Sequence, residues 1–279
     1  METEKGIALI GVPLDENSSY MRGAVAGARA GIEAVWCESA NLWTETGHDL
    51  SRALQNAGPV DFAGAESPGA RMERVARSAR AVGESGALPI FVGGDHSITY
   101  PLVRGLREAV GEFDILHFDA HPDCYDLFDG NPASHASPFA RIMEQGLCGR
   151  LVSVGIRTAT GHQREQRERL GIEWLEMRHR ASWPALSFAR PVYVSFDLDV
   201  LDPAHAPGVA HHEPGGLTTR QALDIIQAIN APMVGADVVE LNPARDRDGV
   251  TAMTAAKIIR ELAGMMLDGM GLAGVKKAG

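Results

Sequence analysis

Three apolar segments of this sequence each end in a short cluster of aspartate and histidine. The run at residues 113–118 leads into DAHPD, the run at 192–196 leads into DLDVLDP, and the run at 89–92 leads into GGDHS. In the first two clusters the acidic and imidazole groups stand two residues apart, so an extended chain aims them the same way. The carboxyl ends of parallel strands meet at one edge of a sheet, where ligands bind. The candidate ligands at this edge are His96, Asp119, His121, Asp123, Asp197 and Asp199.

Apolar runs alternate with helical patterns along the whole chain, which is typical of an α/β fold. We predict strands at residues 7–12, 89–92, 114–118, 151–156, 192–196 and 233–239. We predict helices at residues 69–84, 99–110, 137–145, 163–170, 219–229 and 251–266. This order favours a three-layer α/β/α architecture, with a mostly parallel central sheet and helices on both faces. Without a linker or repeat, residues 1–279 are expected to form a single domain.

Composition excludes several classes of function. The formal net charge of −10 argues against a nucleic-acid partner, which would require a basic face. No apolar run approaches the length of a membrane span. Cys37, Cys124 and Cys148 are scattered without a CxxC pair, as in reduced proteins, and the first strand begins close to Met1. These features lead us to expect a cytoplasmic protein.

The ligand set is too large for one tetrahedral zinc ion, which takes four ligands. Four carboxylates and two imidazoles suit a pair of cations bridged by shared carboxylates. An oxygen-rich set without thiolates favours two Mn²⁺ ions, with zinc, cobalt or nickel as substitutes. Two cations held close together lower the pKa of water enough to supply hydroxide near neutral pH.

Simpler interpretations exist for individual residues. A single aspartate at a strand end is usually a turn or helix cap. Three clusters of the same kind are much harder to explain in this way. Cys124, beside Asp123, is interpreted as a packing residue. For His211 and His212, a role in the pocket and a role as ordinary loop histidines remain open.

The motifs GGDHS, DAHPD and SFDLDVLDP, in this order, resemble the ureohydrolase family of arginases, agmatinases and formiminoglutamases. The likeness extends over nearly the whole chain. The longer segments DAHPDCYDLFDGNPASHASPFARIME and APGVAHHEPGGLT are most similar to the plant-type arginase branch. The resemblance implies an arginase/deacetylase-like fold and release of urea from a linear guanidino substrate, with L-arginine expected and agmatine as the alternative.

The resemblance also implies individual roles. One manganese would be held by His96, Asp119, Asp123 and Asp197. The other would be held by Asp119, His121, Asp197 and Asp199, so that Asp119 and Asp197 bridge. Asp123 would pass a proton to the leaving nitrogen, and His135 matches the proton-shuttle histidine of the family. Glu240 matches the carboxylate that pairs with the substrate guanidinium.

This sequence departs from animal-type arginases where those enzymes read the α-amino group. They carry an acidic residue after the strand that ends here in GIR, whereas this chain has Thr158, Ala159 and Thr160. We therefore expect that the α-amino group is read by other groups or not read at all. The candidates are Asn131, Ser134, Arg157 and His162.

Other functions are weighed against the ureohydrolase. A related substrate such as guanidinobutyrate would use the same chemistry. A single-zinc deacetylase on the same fold would need only one Asp-His-Asp set, and His96 and Asp123 would then be surplus. A non-catalytic homologue would be expected to lack ligands. By family resemblance, the expected assembly is a homotrimer or homohexamer.

Overall fold

The computed structural model of the protein describes residues 6–63 and 67–270. The strands are β1 (Ile7–Val12), β2 (Leu54–Pro59), β3 (Leu88–Gly93), β4 (Asp114–Phe118), β5 (Leu151–Ile156), β6 (Glu173–Glu176), β7 (Val192–Asp197) and β8 (Met233–Val239). They form one sheet in the order β2-β1-β3-β8-β7-β4-β5-β6. Every pairing between these strands is parallel. The predicted α/β class is therefore confirmed.

Seven α-helices of the described residues cover both faces of the sheet. They are α1 (Gly27–Val35), α2 (Pro68–Ser85), α3 (Thr99–Val110), α4 (Pro138–Glu144), α5 (Gly161–Leu170), α6 (Thr219–Gln227) and α7 (Val250–Gly269). Short 3-10 helices lie at Ala24–Ala26, His96–Ile98, Met177–Ser182 and Leu198–Val200. Helices α1, α6 and α7 pack over one apolar core and α2, α3 and α4 over another. Leu116 and Ile115, adjacent on β4, enter opposite cores, as strand alternation requires.

All six predicted strands and all six predicted helices are present, with ends that differ by a few residues. Helix α7, for example, continues past the predicted end at residue 266 as far as Gly269. Three elements were missed. Strands β2 and β6 are the two edges of the sheet, and their sequences LQNAGP and EWLE lack the β-branched runs of central strands. Helix α1 contains glycines that weaken the helical signal.

Tertiary packing explains why α1 has a glycine at position 27. A Cβ on Gly27 would stand 2.0 Å from the carbonyl oxygen of Leu241, so the helix approaches that backbone only because Gly27 has no side chain. Leu241 follows β8, next to the centre of the sheet. The close approach of α1 to this backbone thus outweighs the cost of glycine in helix propensity, about 1 kcal/mol.

The topology gathers the predicted clusters at the centre of one sheet edge. Strands β3, β8, β7 and β4 are consecutive neighbours, and residues 94–96, 240, 197–199 and 119–123 follow or close them. Parallel pairing brings all of these chain segments to the carboxyl edge. None of the helices in the described ranges is both long and apolar enough to cross a bilayer.

Candidate metal centre and substrate cavity

His96 brings together carboxylates from two other strand ends. Its Nδ1 atom lies 3.1 Å from Asp119 Oδ2, 3.1 Å from Asp123 Oδ2 and 3.2 Å from Asp197 Oδ2. The imidazole is fully buried, and its Nδ1 makes no hydrogen bond. A buried nitrogen that faces three carboxylate oxygens without a hydrogen bond is costly unless a cation lies between them.

Hydrogen bonds behind His96 determine which ring nitrogen carries the proton. Its Nε2 lies 3.0 Å from Ser195 Oγ, and the Ser195 hydroxyl donates to Asp237 Oδ1 at 2.7 Å. The single Ser195 proton is thereby used, so Ser195 accepts from Nε2–H of His96. In the neutral imidazole, the lone pair on Nδ1 then faces the carboxylates, which is the arrangement of a metal-ligating histidine supported from behind.

A second group of candidate ligands shares Asp119 with the first. His121 Nδ1 lies 3.3 Å from Asp119 Oδ1 and 3.0 Å from Asp199 Oδ2. The backbone N–H of Ala120 donates to the other Asp199 oxygen at 3.1 Å, which fixes that carboxylate. Asp197 is held in the same way, by the N–H of Asp199 at 2.8 Å. Asp119 therefore points one oxygen into each group.

The electrostatics of the cluster also favour a cation. Burial raises the pKa of Asp197 well above its usual range, and the nearby Asp199 and Asp119 raise it further. Burial lowers the pKa of His96, but its carboxylate neighbours outweigh burial and raise it well above the usual value. Crowded carboxylates therefore demand positive charge. Two divalent cations fit a donor set of two imidazoles and four carboxylates in these two groups.

Glu240 and His135 form a buried pair beside the ligands. Glu240 Oε1 accepts the backbone N–H of His96 at 2.9 Å and lies 3.1 Å from His135 Nδ1. Burial lowers the pKa of His135, but Glu240 outweighs this and brings it to about 9. Both Glu240 (φ 65°) and Asp123 (φ 41°) occupy the left-handed region, which non-glycine residues seldom adopt. Such strain is characteristic of functional sites.

A cavity of about 210 Å³ connects these groups with the surface. Asp123, Asp197, Asp199, His121, His135 and Glu240 line it. Its outer wall comes from the two loops after β4 and β5, through Tyr125, Phe128, Thr158 and Thr160. Among the described residues, no lysine or arginine lines this cavity. The cavity therefore presents carboxylates at its inner end and hydroxyl groups at its outer end, a lining that suits a cationic ligand.

The structure separates the two histidines whose roles were open. His211 lines the cavity, with ring centroids 5.4 Å from His135 and 5.7 Å from His121. Burial lowers the pKa of His211, and the nearby His121 and His135 act in the same direction. His212 points elsewhere, because its Nε2 bonds the Pro207 carbonyl and its Nδ1 meets Arg245.

The candidates for the far end of the substrate lie in different places. Asn131 Nδ2 donates to Asn17 Oδ1 at 3.1 Å, and Ser134 Oγ accepts the N–H of Ala136 at 3.3 Å. Neither of these two side chains lines the cavity, so each supports a loop, and their roles in binding substrate stay predictions. His162 stacks on Tyr125 near the mouth, with ring centroids 5.5 Å apart and planes 14° apart.

The Arg157 guanidinium donates its hydrogen bonds to backbone carbonyl groups. It donates to the carbonyl oxygens of Asp199 (2.6 Å), Leu201 (3.3 Å) and Glu213 (2.6 Å), and also to those of Gly155 and Val200. It therefore joins the short helix of the candidate ligand Asp199 to the loop of His211. The five fixed donors of arginine suit this role, whereas the lysine ammonium has three.

We expect Arg157→Lys to weaken metal binding about tenfold, the lower end of the range for residues that support a ligand. The lysine retains the charge but cannot span the two loops. Metal content after dialysis against graded chelator measures the effect. Arg29→Lys, at an exposed side chain paired with Glu33, is the control. Equal metal retention by both variants would contradict the role of Arg157.

Several residues around the site were not singled out from the sequence. His117 lies 2.9 Å from Asp119 Oδ2, and Asp95 accepts the N–H of Asn17 at 3.0 Å. Asp237 is fully buried in β8 and accepts three hydroxyl groups, from Tyr193, Ser195 and Thr99. An aspartate within an apolar strand was a visible signal, but its partners lie on β7 and α3, which are distant in the sequence. Cys124 is buried against the Gln163 carbonyl, and burial raises its pKa to about 12, in agreement with a packing role.

Comparisons with known proteins agree with this geometry. Residues 5–264 match the profile of the Arginase family. The mitochondrial arginase of Medicago truncatula is 47% identical, over 93% of this chain and 81% of its own length. Arginase 1, mitochondrial, of Arabidopsis thaliana is 48% identical, over 92% of this chain and 80% of its own length. The structure of the arginase from Medicago truncatula superposes with a TM-score of 0.89 at 46% identity, covering 94% of this chain and 87% of that one.

The comparisons contradict one expectation and bear out another. The expected cytoplasmic location is contradicted, because both relatives are named as mitochondrial proteins. It rested in part on the unpaired cysteines, which fit any reducing compartment and do not separate one from another. The expected family is confirmed by the profile, by the identities and by the superposition. This chain belongs to the arginase family.

Proposed function

We propose that this protein is a metal-dependent hydrolase that releases urea from a linear guanidino substrate, most specifically L-arginine, with ornithine as the second product. One observation carries the proposal. Two groups of ligands share Asp119 at the inner end of a cavity that Glu240 also lines. A nucleophile and a guanidinium can therefore be held next to each other, which is the main requirement for attacking so poor an electrophile.

The proposed cofactor is a pair of Mn²⁺ ions. His96, Asp119, Asp123 and Asp197 are proposed to hold one, and Asp119, His121, Asp197 and Asp199 the other. When bound, two such cations supply hydroxide near neutral pH. The preference for manganese rests on the oxygen-rich donor set without thiolates.

The remaining groups position substrate and move protons. Glu240 is proposed to accept hydrogen bonds from the guanidinium, a charge-assisted contact that is stronger when desolvated. Asp123 passes a proton toward the leaving nitrogen, and His135 exchanges protons at the same end of the cavity. A hydroxide oxygen bonds to the guanidinium carbon, the C–N bond to the alkyl nitrogen breaks, urea leaves, and the amine departs protonated. Acid–base assistance of this kind contributes roughly 10²–10⁴-fold.

Arginine is favoured over agmatine because the relatives with about half of their residues identical are named arginases. On the outer wall, the hydroxyl of Thr158 suits an α-carboxylate, whereas the hydroxyls of Tyr125 and Thr160 lie 3.1 Å apart and bond to each other. A wall that pairs this carboxylate should reject agmatine strongly, because its polar groups would be left unpaired. Agmatine and guanidinobutyrate remain the alternative substrates within the family.

Two other classes of function have less support. A single-zinc deacetylase would not need a histidine in the position of His96, whose Nδ1 faces three carboxylates. A non-catalytic homologue would have no reason to keep both groups of ligands and the strained backbone of Asp123 and Glu240.

We further propose that residues 1–279 form a single domain that assembles as a homotrimer or homohexamer. Light scattering at micromolar concentration would check this assembly.

Urea release tests the proposed function directly. The protein is loaded with manganese and supplied separately with L-arginine, agmatine and 4-guanidinobutyrate, and kcat/KM is measured for each. We expect arginine to give the highest value and agmatine to be at least about tenfold poorer, as when a polar subsite is left unpaired. If agmatine is the better substrate, the arginine assignment is wrong. If none of the three yields urea, the proposed function fails.

A further inference from the structure

Ser19 occupies a position between the surface and His135. Its hydroxyl oxygen lies 2.9 Å from His135 Nε2, and Ser19 lines the cavity as an exposed residue. His135 itself is only 8% exposed. The hydroxyl is the partner that the structure gives this ring nitrogen, so the hydrogen-bonded route from the imidazole to solvent passes through Ser19.

The other nitrogen of His135 faces Glu240. His135 Nδ1 lies 3.1 Å from Glu240 Oε1, so Nδ1 carries a proton and donates it to the carboxylate. Nε2 is then the nitrogen that gains and loses a proton. In neutral imidazole Nε2 accepts the Ser19 O–H, and in imidazolium Nε2–H donates to Ser19 Oγ. A hydroxyl can serve both states because it is a donor and an acceptor.

From this geometry we propose that Ser19 is a positioning and proton-relay residue for His135, a role that rests on the proposed ureohydrolase activity. A buffer acid in solvent gives a proton to Ser19 Oγ while the Ser19 hydroxyl proton passes to His135 Nε2. The buffer loses one proton, the imidazole gains one, and Ser19 ends with the single proton with which it began. The reverse transfer returns the excess proton to solvent.

The loop that carries Ser19 is held by other contacts. The Asn17 carbonyl accepts the backbone N–H of His135 at 3.2 Å, and the Asn17 N–H donates to Asp95 Oδ2 at 3.0 Å. Loss of the Ser19 hydroxyl should therefore leave the loop in place. The neighbouring Ser18 provides a matched control, because its hydroxyl donates to Asp95 Oδ2 at 3.3 Å and not to His135.

The test compares Ser19→Ala, Ser19→Thr and Ser18→Ala with the parent protein, all loaded with manganese. In weakly buffered solution we expect Ser19→Ala to lower kcat by about 10–100-fold, within the range of acid–base assistance, with a smaller change in KM. Added imidazole should restore much of this loss by exchanging protons with His135 directly. Ser19→Thr keeps a hydroxyl and should stay within about threefold of the parent, as should Ser18→Ala.

A second readout does not depend on turnover. In histidine-labelled protein loaded with zinc, which is diamagnetic, the ¹⁵N resonance of His135 Nε2 should shift in Ser19→Ala and not in Ser18→Ala. If the two alanine variants behave alike in both measurements, or if imidazole restores nothing, the relay is refuted. Failure of the parent protein to release urea would instead refute the proposed function, and the NMR comparison would still report the hydrogen bond.

Discussion

Asp119→Asn is expected to abolish binding of both cations, whereas a typical ligand substitution removes one. Its two oxygens point into different groups of ligands, Oδ2 toward His96 and Oδ1 toward His121. The loss of activity should far exceed the roughly 10–100-fold that follows loss of a residue supporting a ligand. Asp197→Asn, at the other proposed bridge, should behave in the same way. Metal content by mass spectrometry, together with urea release, measures the result.

The two variants should differ in the stability of the metal-free protein. Burial raises the pKa of Asp119, but its histidine neighbours, His117 first, outweigh burial and depress it well below the usual value. Its charged form thus stabilises the fold above the unfolded pKa, and Asp119→Asn should lower Tm at neutral pH. The pKa of Asp197 is raised, so its charge opposes folding as pH rises. Asp197→Asn should therefore raise the metal-free Tm, by an amount that shrinks on acidification.

Asp126→Asn is the matched control for metal content and for the metal-free Tm. Asp126 lies near the mouth of the cavity, and its pair with His162 is at the surface. It should retain both cations and nearly the parent Tm. Retention of one full equivalent of metal by Asp119→Asn would contradict a shared ligand. A lower metal-free Tm in Asp197→Asn would show that its charge is compensated within the apoprotein.

Glu240→Gln is expected to lower kcat/KM for arginine about a hundredfold while leaving metal content unchanged. The glutamine carbonyl can still accept the backbone N–H of His96, now bonded to Glu240 Oε1 at 2.9 Å. The charge that faces the guanidinium and His135 is lost. Leaving one partner of a buried ion pair without its counter-charge costs about 3 kcal/mol, which corresponds to this change in rate.

Glu261→Gln controls for the loss of a buried glutamate elsewhere. Glu261 is 1% exposed in α7 and pairs with Lys257 at 2.6 Å, away from the cavity lining. This substitution should change stability but leave kcat/KM close to the parent value. An unchanged kcat/KM in Glu240→Gln would remove Glu240 from substrate recognition, and loss of metal in that variant would make it a structural support of His96.

The sequence by itself determined the class of fold and the ligand candidates. Short apolar runs revealed the central strands because buried parallel strands are nearly continuous in apolar residues, as in β7. The Asp and His clusters were visible because each occupies one short segment, such as residues 119–123. The edge strands β2 and β6 and the helix α1 were not predicted. The two strands lack β-branched runs and the helix contains glycines, so their sequences indicate these structures only weakly.

Only the tertiary structure decided which residues meet. Strand order placed His96 beside Asp197, and it brought Ser195 and Asp237 behind His96, although β3, β7 and β8 are far apart in the chain. In the same packing, Arg157 donates hydrogen bonds to loop carbonyls, and His211, but not His212, lines the cavity. It also placed Ser19 against His135, 116 positions away. Contacts between distant segments depend on strand order and loop paths, which no local pattern of residues encodes.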